Sequence, residues 1–466
     1  MNEQAIHTGH ILLVSCYELG HQPAGIAMPA GLLRRAGYEC DAMDVSVEGF
    51  DADKVQTARF VGISVPMHTA LRLGTRVAEE IRKLNPSCHI CFYGLYALLN
   101  ADYLLDTVAD SVIGGEFEVA LVQLIEAVES GVPIHIDEVS TRSHASKPVL
   151  TRLNFAAPDR SALVPLEHYA RLEYNGEQRL VGYVEASRGC LHYCTHCPIP
   201  SVYNGRFFIV PEDIVLQDIR GLVASGARHI TFGDPDFLNG PGHSLRITRA
   251  MHLEFPELTF DFTAKVEHIL KHRELILEFA QSGCLFVVSA VESLSNTVLE
   301  NLKKGHTRDD VLEALCILRG AGIAMRPTFV PFTPWSTIDD YIDIIEFIAS
   351  QRLIDHVDPV QYSIRLLVPP GSMLLSQPET QWLGQLIQES FSYEWAHPDP
   401  RLDELHKQVS AVVEQAAGRN EDASETFNDI LELAYAGRGS VPSVRLRVPI
   451  DPLGLRPPRL TEAWFC

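Results

Sequence analysis

The sequence predicts an α/β protein built as two successive strand–helix series, followed by a helical and proline-rich C-terminal region. Three observations carry this. Short apolar runs alternate with amphipathic stretches over residues 10–130, the alternation restarts near residue 181, and it ends at Pro369-Pro370-Gly371. Such alternation marks parallel sheets, whose strands need helical crossovers.

In the first series the runs are HILLVS (10–15), CDAMDVS (40–46), FVGISVPM (60–67), CHICFYG (88–94) and SVIGGEF (111–117). Helical patterns such as PAGLLRRAG and ALRLGTRVAEEIRKLN separate them. Five strands so connected give a doubly wound, flavodoxin-like domain over residues 1–135. Its ligands are expected beyond the strand C-termini, near 18–25, 67–69 and 95–99. Residues 136–180 are polar and proline-punctuated and read as a linker laid over a surface.

The second series, 181–375, runs VGYVEAS (181–187), HITFGD (229–234), LTFDFTAKV (258–266), LFVVSAV (285–291), AMRPTFVPF (324–332) and VQYSIRLLV (360–368). Six βα units fit a partial (β/α)6 TIM-like barrel, with function on the loops after the strands. Within 376–466, residues 376–392 and 402–436 read as helical, and 437–466 as a proline-rich tail.

Composition narrows the function. Lys and Arg number 38 against 60 Asp and Glu, a net charge of −22, which argues against a phosphate-binding face and so against a nucleic-acid partner. No apolar run reaches a membrane span and no export signal is apparent, so a cytoplasmic protein is expected. Ten cysteines then point to metal or catalysis more than to disulfides. Six of them (Cys16, Cys40, Cys88, Cys91, Cys284 and Cys316) lie in apolar segments and read as small buried hydrophobes.

The stretch RGCLHYCTHCPIP (188–200) is different, with Cys190, Cys194 and Cys197 packed into one loop after the first strand of the second series. Thiolates bind zinc or iron–sulfur clusters. A closed zinc site wants four ligands, and no second CxxC loop is present. The CHIC of 88–91 lies in a strand, where its side chains face opposite ways. His192 or His196 would have to complete a zinc site, although His196 has little room to fold back. Three cysteines on a 4Fe–4S cube leave one iron open, as in catalytic centres.

Cys190-x-x-x-Cys194-x-x-Cys197, so placed, resembles the radical S-adenosylmethionine (SAM) superfamily. The resemblance implies a 4Fe–4S cluster on these three cysteines. SAM would be chelated to the open iron and cleaved at a C–S bond by one electron from a donor such as flavodoxin or ferredoxin. It also implies cofactor-binding positions. Gly233-Asp234-Pro235 stands where the SAM amino group is held, through backbone carbonyls. Ser289 and Glu292, in SAVES (289–293), stand where a polar side chain binds the ribose. Lys265 would pair with the SAM carboxylate or be an ordinary surface lysine. TFVPFTPW (328–335) would pack the adenine, and Arg365 would face substrate or SAM. LKKGHT (302–307) reads as a solvated helix end, and the polar loop DPDF (234–237) with NGP (239–241) as a candidate substrate wall.

A flavodoxin-like domain ahead of such a barrel is similar to the cobalamin-binding radical SAM class. The loop SCYELGHQPAG (15–25) keeps a histidine, His21, but lacks the Asp of the DxHxxG pattern. Narrower still, CTHCPIPSVYNGRF (194–207), ITFGDPDFLNGPGH (230–243) and RPPRLTEAWFC (456–466) resemble the CUAEP/CCAEP-tail radical SAM proteins. In that group a second chalcogen, often selenocysteine encoded by UGA, follows the tail cysteine. The resemblance makes Cys466 a catalytic soft nucleophile or ligand.

The expected function is a radical SAM enzyme acting on a small-molecule substrate. Three alternatives stand beside it: cobalamin-dependent radical methylation, transfer of a SAM-derived 3-amino-3-carboxypropyl group to a thiophilic acceptor such as arsenite, and a cluster-binding sensor or scaffold.

Overall fold

The computed structural model describes residues 10–378, 380–419, 421–441 and 457–461. Cys466 lies outside them. The first five apolar runs become β1 (His10–Ser15), β2 (Cys40–Asp44), β3 (Ala58–Ser64), β4 (His89–Tyr93) and β5 (Ser111–Ile113), all parallel, in the order β2-β1-β3-β4-β5. The crossover helix His68–Leu84 shows why this sequence folds so: Ala70, Leu71, Gly74, Ala78 and Ile81 fall on one buried stripe. Cys88 and Cys91 are buried in separate apolar clusters, so CHIC is no ligand pair. Cys40 is half-buried, and Cys316, expected inside, is exposed.

Part of the expected linker runs along an edge of this sheet, whereas its last residues, 171–174 and 177–180, are strand and not linker, and Leu153, Phe155 and Leu166 are buried in the core. Ser140 bridges Val112 and Val149 bridges Gly115, so the chain caps the β5 side of the sheet, where unpaired strand groups would otherwise face solvent.

A second sheet follows. β6 (Arg171–Tyr174) and β7 (Glu177–Val184) form a hairpin whose turn, Asn175-Gly176, has φ of +52° and +78°, as a tight two-residue connection requires. The short pair β8 (Ser187–Gly189) and β9 (Phe207–Ile209) caps β7. β10 (His229–Phe232), β11 (Thr259–Ala264), β12 (Cys284–Glu292) and β13 (Ala324–Phe329) continue β7 in parallel. Helices starting after Thr307 and Thr337 are fixed by reciprocal hydrogen bonds with Asp310 and Asp340.

Two expectations fail here. The sixth strand is a 3-10 turn, Pro359–Tyr362, followed by one bridge between Phe332 and Arg365. Prolines at 359, 369 and 370 remove the donors a full strand would need. Residues 376–392 are not helical either: they hold β14 (Leu383–Ile387), which pairs antiparallel with β15 (Ser392–Trp395). The aromatic side chains of Trp382, Tyr393 and Trp395 pack there with Trp335 and Leu366. Helices Pro400–Arg419 and Ala423–Gly437 match the second helical expectation. Finally β16 (Arg459–Leu460) pairs antiparallel with β6, giving the sheet order β13-β12-β11-β10-β7-β6-β16. Among the described residues no helix is long and apolar enough to cross a membrane.

Candidate functional site

The cysteine loop leaves β8 at the C-terminal end of the parallel strands and returns to β9. Gly189 launches it with φ +76°, and a Cβ there would lie 2.4 Å from the Arg206 carbonyl oxygen, so glycine is required. Thr195 pins the middle: its N–H donates to Leu302 O at 3.1 Å and its Oγ1 to Asn301 O at 2.8 Å. Ser372 Oγ donates to Thr195 O at 3.4 Å. Cys190 and Cys194 are buried and Cys197 is half-buried.

Burial pushes the Cys197 thiol up to about 12, and neighbouring Cys194 and Cys190 push the same way. Burial also raises Cys190. Cys190 and Cys197 thus feel their neighbouring thiols, and a bound cation favours the ionised form of both. Buried polar atoms around the loop lack hydrogen bonds, among them His196 Nδ1 and Asn239 Nδ2. This donor set fits a thiolate-held cluster and a polar ligand beside it.

Glu292 is the most constrained side chain nearby. It ends β12 with φ +65°, where the pairing with β13 shifts register between Ala290 and Glu292. A bulge of this kind re-aims one side chain, at a cost in backbone strain. Its Oε1 lies 3.1 Å from Lys304 Nζ and 3.4 Å from His196 Nε2. Burial opposes its charge, but the ammonium and the imidazole outweigh it and hold the carboxyl at about 2. Lys304 is thus no solvated helix end. Lys303 is exposed at φ +52°, and the turn drives Lys304 inward. Burial works against the Lys304 ammonium, while Glu292 and then Cys194 favour it. No helical or strand period flags Lys304, because the turn that buries it is local.

The segment 233–235 lies at the end of β10. A Cβ on Gly233 would sit 2.0 Å from the Tyr183 ring, so the ring closes against bare backbone. Asp234 is buried, its Oδ2 accepting from Ala186 N–H at 2.9 Å and its Oδ1 from Ser187 Oγ at 2.5 Å. Its side chain therefore ties strand ends together, and burial raises it to about 7. Lys265 is buried rather than superficial, with Nζ 3.0 Å from His192 Nδ1 and 3.2 Å from Glu267 Oε2. Ser289 donates to Ala264 O at 3.0 Å between β11 and β12. Arg365 is turned to the C-terminal region: it pairs with Asp403 at 2.8 Å, donates to Trp395 O at 2.8 Å and lies 3.6 Å over the Trp395 ring.

The strand ends of the first sheet meet this rim directly. Arg188, just before Cys190, is buried among Glu185, Glu116 and Glu118, pairing with Glu185 at 2.9 Å and with Glu118. Tyr203 donates to Glu116 Oε1 at 3.0 Å. The His21 ring lies 4.8 Å from that of Tyr183. Arg160 donates to Gln22 Oε1 at 3.0 Å and pairs bidentately with Asp218. Behind them Ser15 Oγ and Glu18 Oε1 are buried without hydrogen bonds, and burial pushes the Glu18 carboxyl up to about 8. Two orphaned polar atoms at the C-terminal end of β1 and just after it suit an amide-rich ligand such as cobalamin. His21, packed on Tyr183, is held against the barrel.

Residues 184–348 match the radical SAM superfamily and residues 11–125 the B12 binding domain. A Methanocaldococcus jannaschii protein described as a methylthiotransferase is 24% identical over 290 residues, 58% of this chain and 60% of its own length. Hopanoid C-3 methylase of Methylococcus capsulatus is 24% identical over 67% of this chain and 62% of its own length. The chain thus spans about three fifths of these relatives. Among solved structures, the cobalamin-dependent SAM radical enzyme OxsB, with aqua-cobalamin bound, superposes with a TM-score of 0.71 at 15% identity, over 88% of this chain and 67% of that one. The chain carries a radical SAM domain, of the kind that works with a 4Fe–4S cluster and SAM, behind a B12-binding domain.

Proposed function

We propose that this chain is a radical SAM enzyme that cleaves SAM reductively to transform a small-molecule substrate. Cys190, Cys194 and Cys197 hold the cluster, which supplies the electron for C–S cleavage when bound. The observation that carries the reading is the charge pattern around the cysteine loop. Two buried thiols and a half-buried third stand beside a buried ammonium, Lys304, and a carboxylate, Glu292, kept ionised in a strained backbone position. Lys304 offsets the negative charge of the thiolates. Glu292 is ready to accept from the two ribose hydroxyls of SAM, and the backbone of Gly233-Asp234-Pro235 receives its amino group. Lys265 can pair with the SAM carboxylate. Ser289 and Arg365 serve the scaffold instead, since their polar atoms are spent on Ala264, Asp403 and Trp395.

The reading also takes in an electron donor of flavodoxin or ferredoxin type, a cytoplasmic setting and, in the tail, Cys466 as a soft nucleophile or ligand for a thiophilic acceptor such as arsenite. The CUAEP/CCAEP-tail resemblance supports that last role. A Cys466→Ser protein should then still cleave SAM while forming less product.

A second reading, cobalamin-dependent methyl transfer, is favoured by the B12-binding domain match and by the orphaned Ser15 and Glu18 oxygens, which would hold the amide edge of the corrinoid. Anaerobic reconstitution tests both. About four irons per chain and 5′-deoxyadenosine release on reduction support the first. Methylcobalamin formed from SAM supports the second. A protein that loads iron but neither cleaves nor demethylates SAM would leave the scaffold alternative.

A further inference from the structure

His192 leaves the cysteine loop to meet two residues that follow neighbouring strands, Asp236 after β10 and His268 after β11. The two Nε2 atoms are 3.2 Å apart, His192 Nε2 is 3.7 Å from Asp236 Oδ2, and His268 Nδ1 is 2.8 Å from the same oxygen. One donor atom from each residue lies within 4.8 Å of the other two. Donors bound to a zinc-sized ion at about 2.0–2.1 Å are themselves separated by roughly 3.3 Å; His268 turns Nε2 to His192 and Nδ1 to Asp236, so a single ion takes one of these nitrogens after a small turn of the ring. Asp236 is 1% and His268 5% exposed, and His268 Nδ1 is buried with no hydrogen bond of good geometry. Asp236 Oδ1 accepts from Leu238 N–H at 3.0 Å, which fixes the carboxylate with Oδ2 toward the imidazoles.

We infer that His192, Asp236 and His268 form a second metal site, for a divalent ion of the zinc or ferrous class, separate from the cysteine loop. Two imidazoles and one carboxylate leave coordination positions open. His192 keeps 16% of its side chain exposed, so a small molecule's oxygen, nitrogen or sulfur donor can reach the ion. The site shares no residue with the cysteines and does not depend on their role.

Lys265 and Glu267 complete the account. Without an ion, Lys265 Nζ donates to His192 Nδ1 at 3.0 Å, so Nε2 carries the ring proton and hydrogen-bonds His268. When the ion takes Nε2, the proton moves to Nδ1, the Lys265 ammonium moves off that nitrogen, and Nδ1 turns to Glu267 Oε2, 3.8 Å away without the ion. Lys265 stays on that same carboxylate, 3.2 Å away. A metal-bound imidazole ordinarily donates its other N–H to such a group.

The test uses the full chain, anaerobically loaded with its cluster and dialysed against low-micromolar zinc, with zinc and iron per chain measured by mass spectrometry. One zinc per chain is expected in addition to the cluster iron. His268→Ala and Asp236→Asn should lose it with iron unchanged, Asp236→Asn keeping the hydrogen bond to Leu238 and hence the loop. Lys265→Met removes the competing donor and should bind zinc severalfold more tightly. A wild-type protein without stoichiometric zinc would show the cluster to be a hydrogen-bonded relay only. Zinc retained by both ligand variants, or lost from Lys265→Met, would equally overturn the site.

Discussion

Two glutamates stand at strand C-termini, one in each sheet, and they are held in opposite states. Glu292, the last residue of β12, is kept ionised, its carboxyl at about 2 beside Lys304 and His196. Glu18, after β1, has no cation paired with it, and burial lifts its carboxyl to about 8. The barrel rim retains charge in the interior, where it acts at low dielectric. At Glu18 the other rim offers a neutral polar group instead, while Glu116 and Glu118 nearby keep Arg188 as their cation. Burial alone therefore says little about what a carboxyl can do, and the partner within hydrogen-bonding distance decides.

The largest expected effect tests the charged rim. Alanine at Cys190, Cys194 or Cys197 should take the iron content from about four to near zero per chain and abolish SAM cleavage. A single-cysteine variant that keeps iron and turnover would break the comparison at its base.

The contact between the rims comes next. Arg188→Met leaves Glu116 and Glu118 buried without their cation, which typically costs about 3–5 kcal/mol. The apo protein's melting temperature should fall accordingly, and adding Glu118→Gln should restore part of it. An unchanged melting curve would mean that the two rims are not coupled through Arg188.

Glu18 sharpens the contrast through pH. Its folded pKa is raised, so between the unfolded value of 4.5 and about 8 the fold keeps a proton that the unfolded chain has lost. Stability from this group is full below that window and falls as pH rises through it. Glu18→Gln should match wild type near the lower end and exceed it at the upper end by on the order of 4 kcal/mol in urea titrations. Glu292 runs the other way. Its contribution is complete above the unfolded 4.5 and is lost only as pH falls toward 2.

The smallest effect concerns SAM. Glu292→Gln should weaken SAM binding by about 1.5–3 kcal/mol in calorimetry, with iron content unchanged. If Glu292 merely neutralises Lys304, the variant will lose stability while SAM affinity stays put, and its role is structural.

Much of this was legible from the residues. The five parallel strands of the first domain follow from apolar runs of strand length, and the cysteine loop from its spacing. What was not legible depends on proline and on local turns. VQYSIRLLV has strand composition, yet Pro359, Pro369 and Pro370 cut it to one bridge. The 376–392 segment carries apolar spacing compatible with a helix, but Trp382, Tyr393 and Trp395 pack better as a hairpin against Trp335. Lys304 is buried by a positive-φ residue and a glycine on either side of it, which no periodicity reports. The His192–Asp236–His268 group joins two loops and a short helix, Val266–Lys271, distant in sequence, so only the tertiary structure assembles it.

The short strand β16 has a consequence for how the chain is made. Arg459 pairs with Glu173 at 2.6 Å, and Thr461 exchanges hydrogen bonds with Arg171, residues some 290 positions earlier. On a ribosome, the barrel strands emerge long before the segment that covers β6. Until then β6 presents an open edge, a template for unwanted strand pairing. Such a distant closure is also a slow one, since contacts of large sequence separation form late. The nascent protein therefore passes through an interval in which its sheet is assembled but unsealed. Chaperone dependence and yield on slow translation should follow the synthesis of residues 457–461 more than that of the barrel itself.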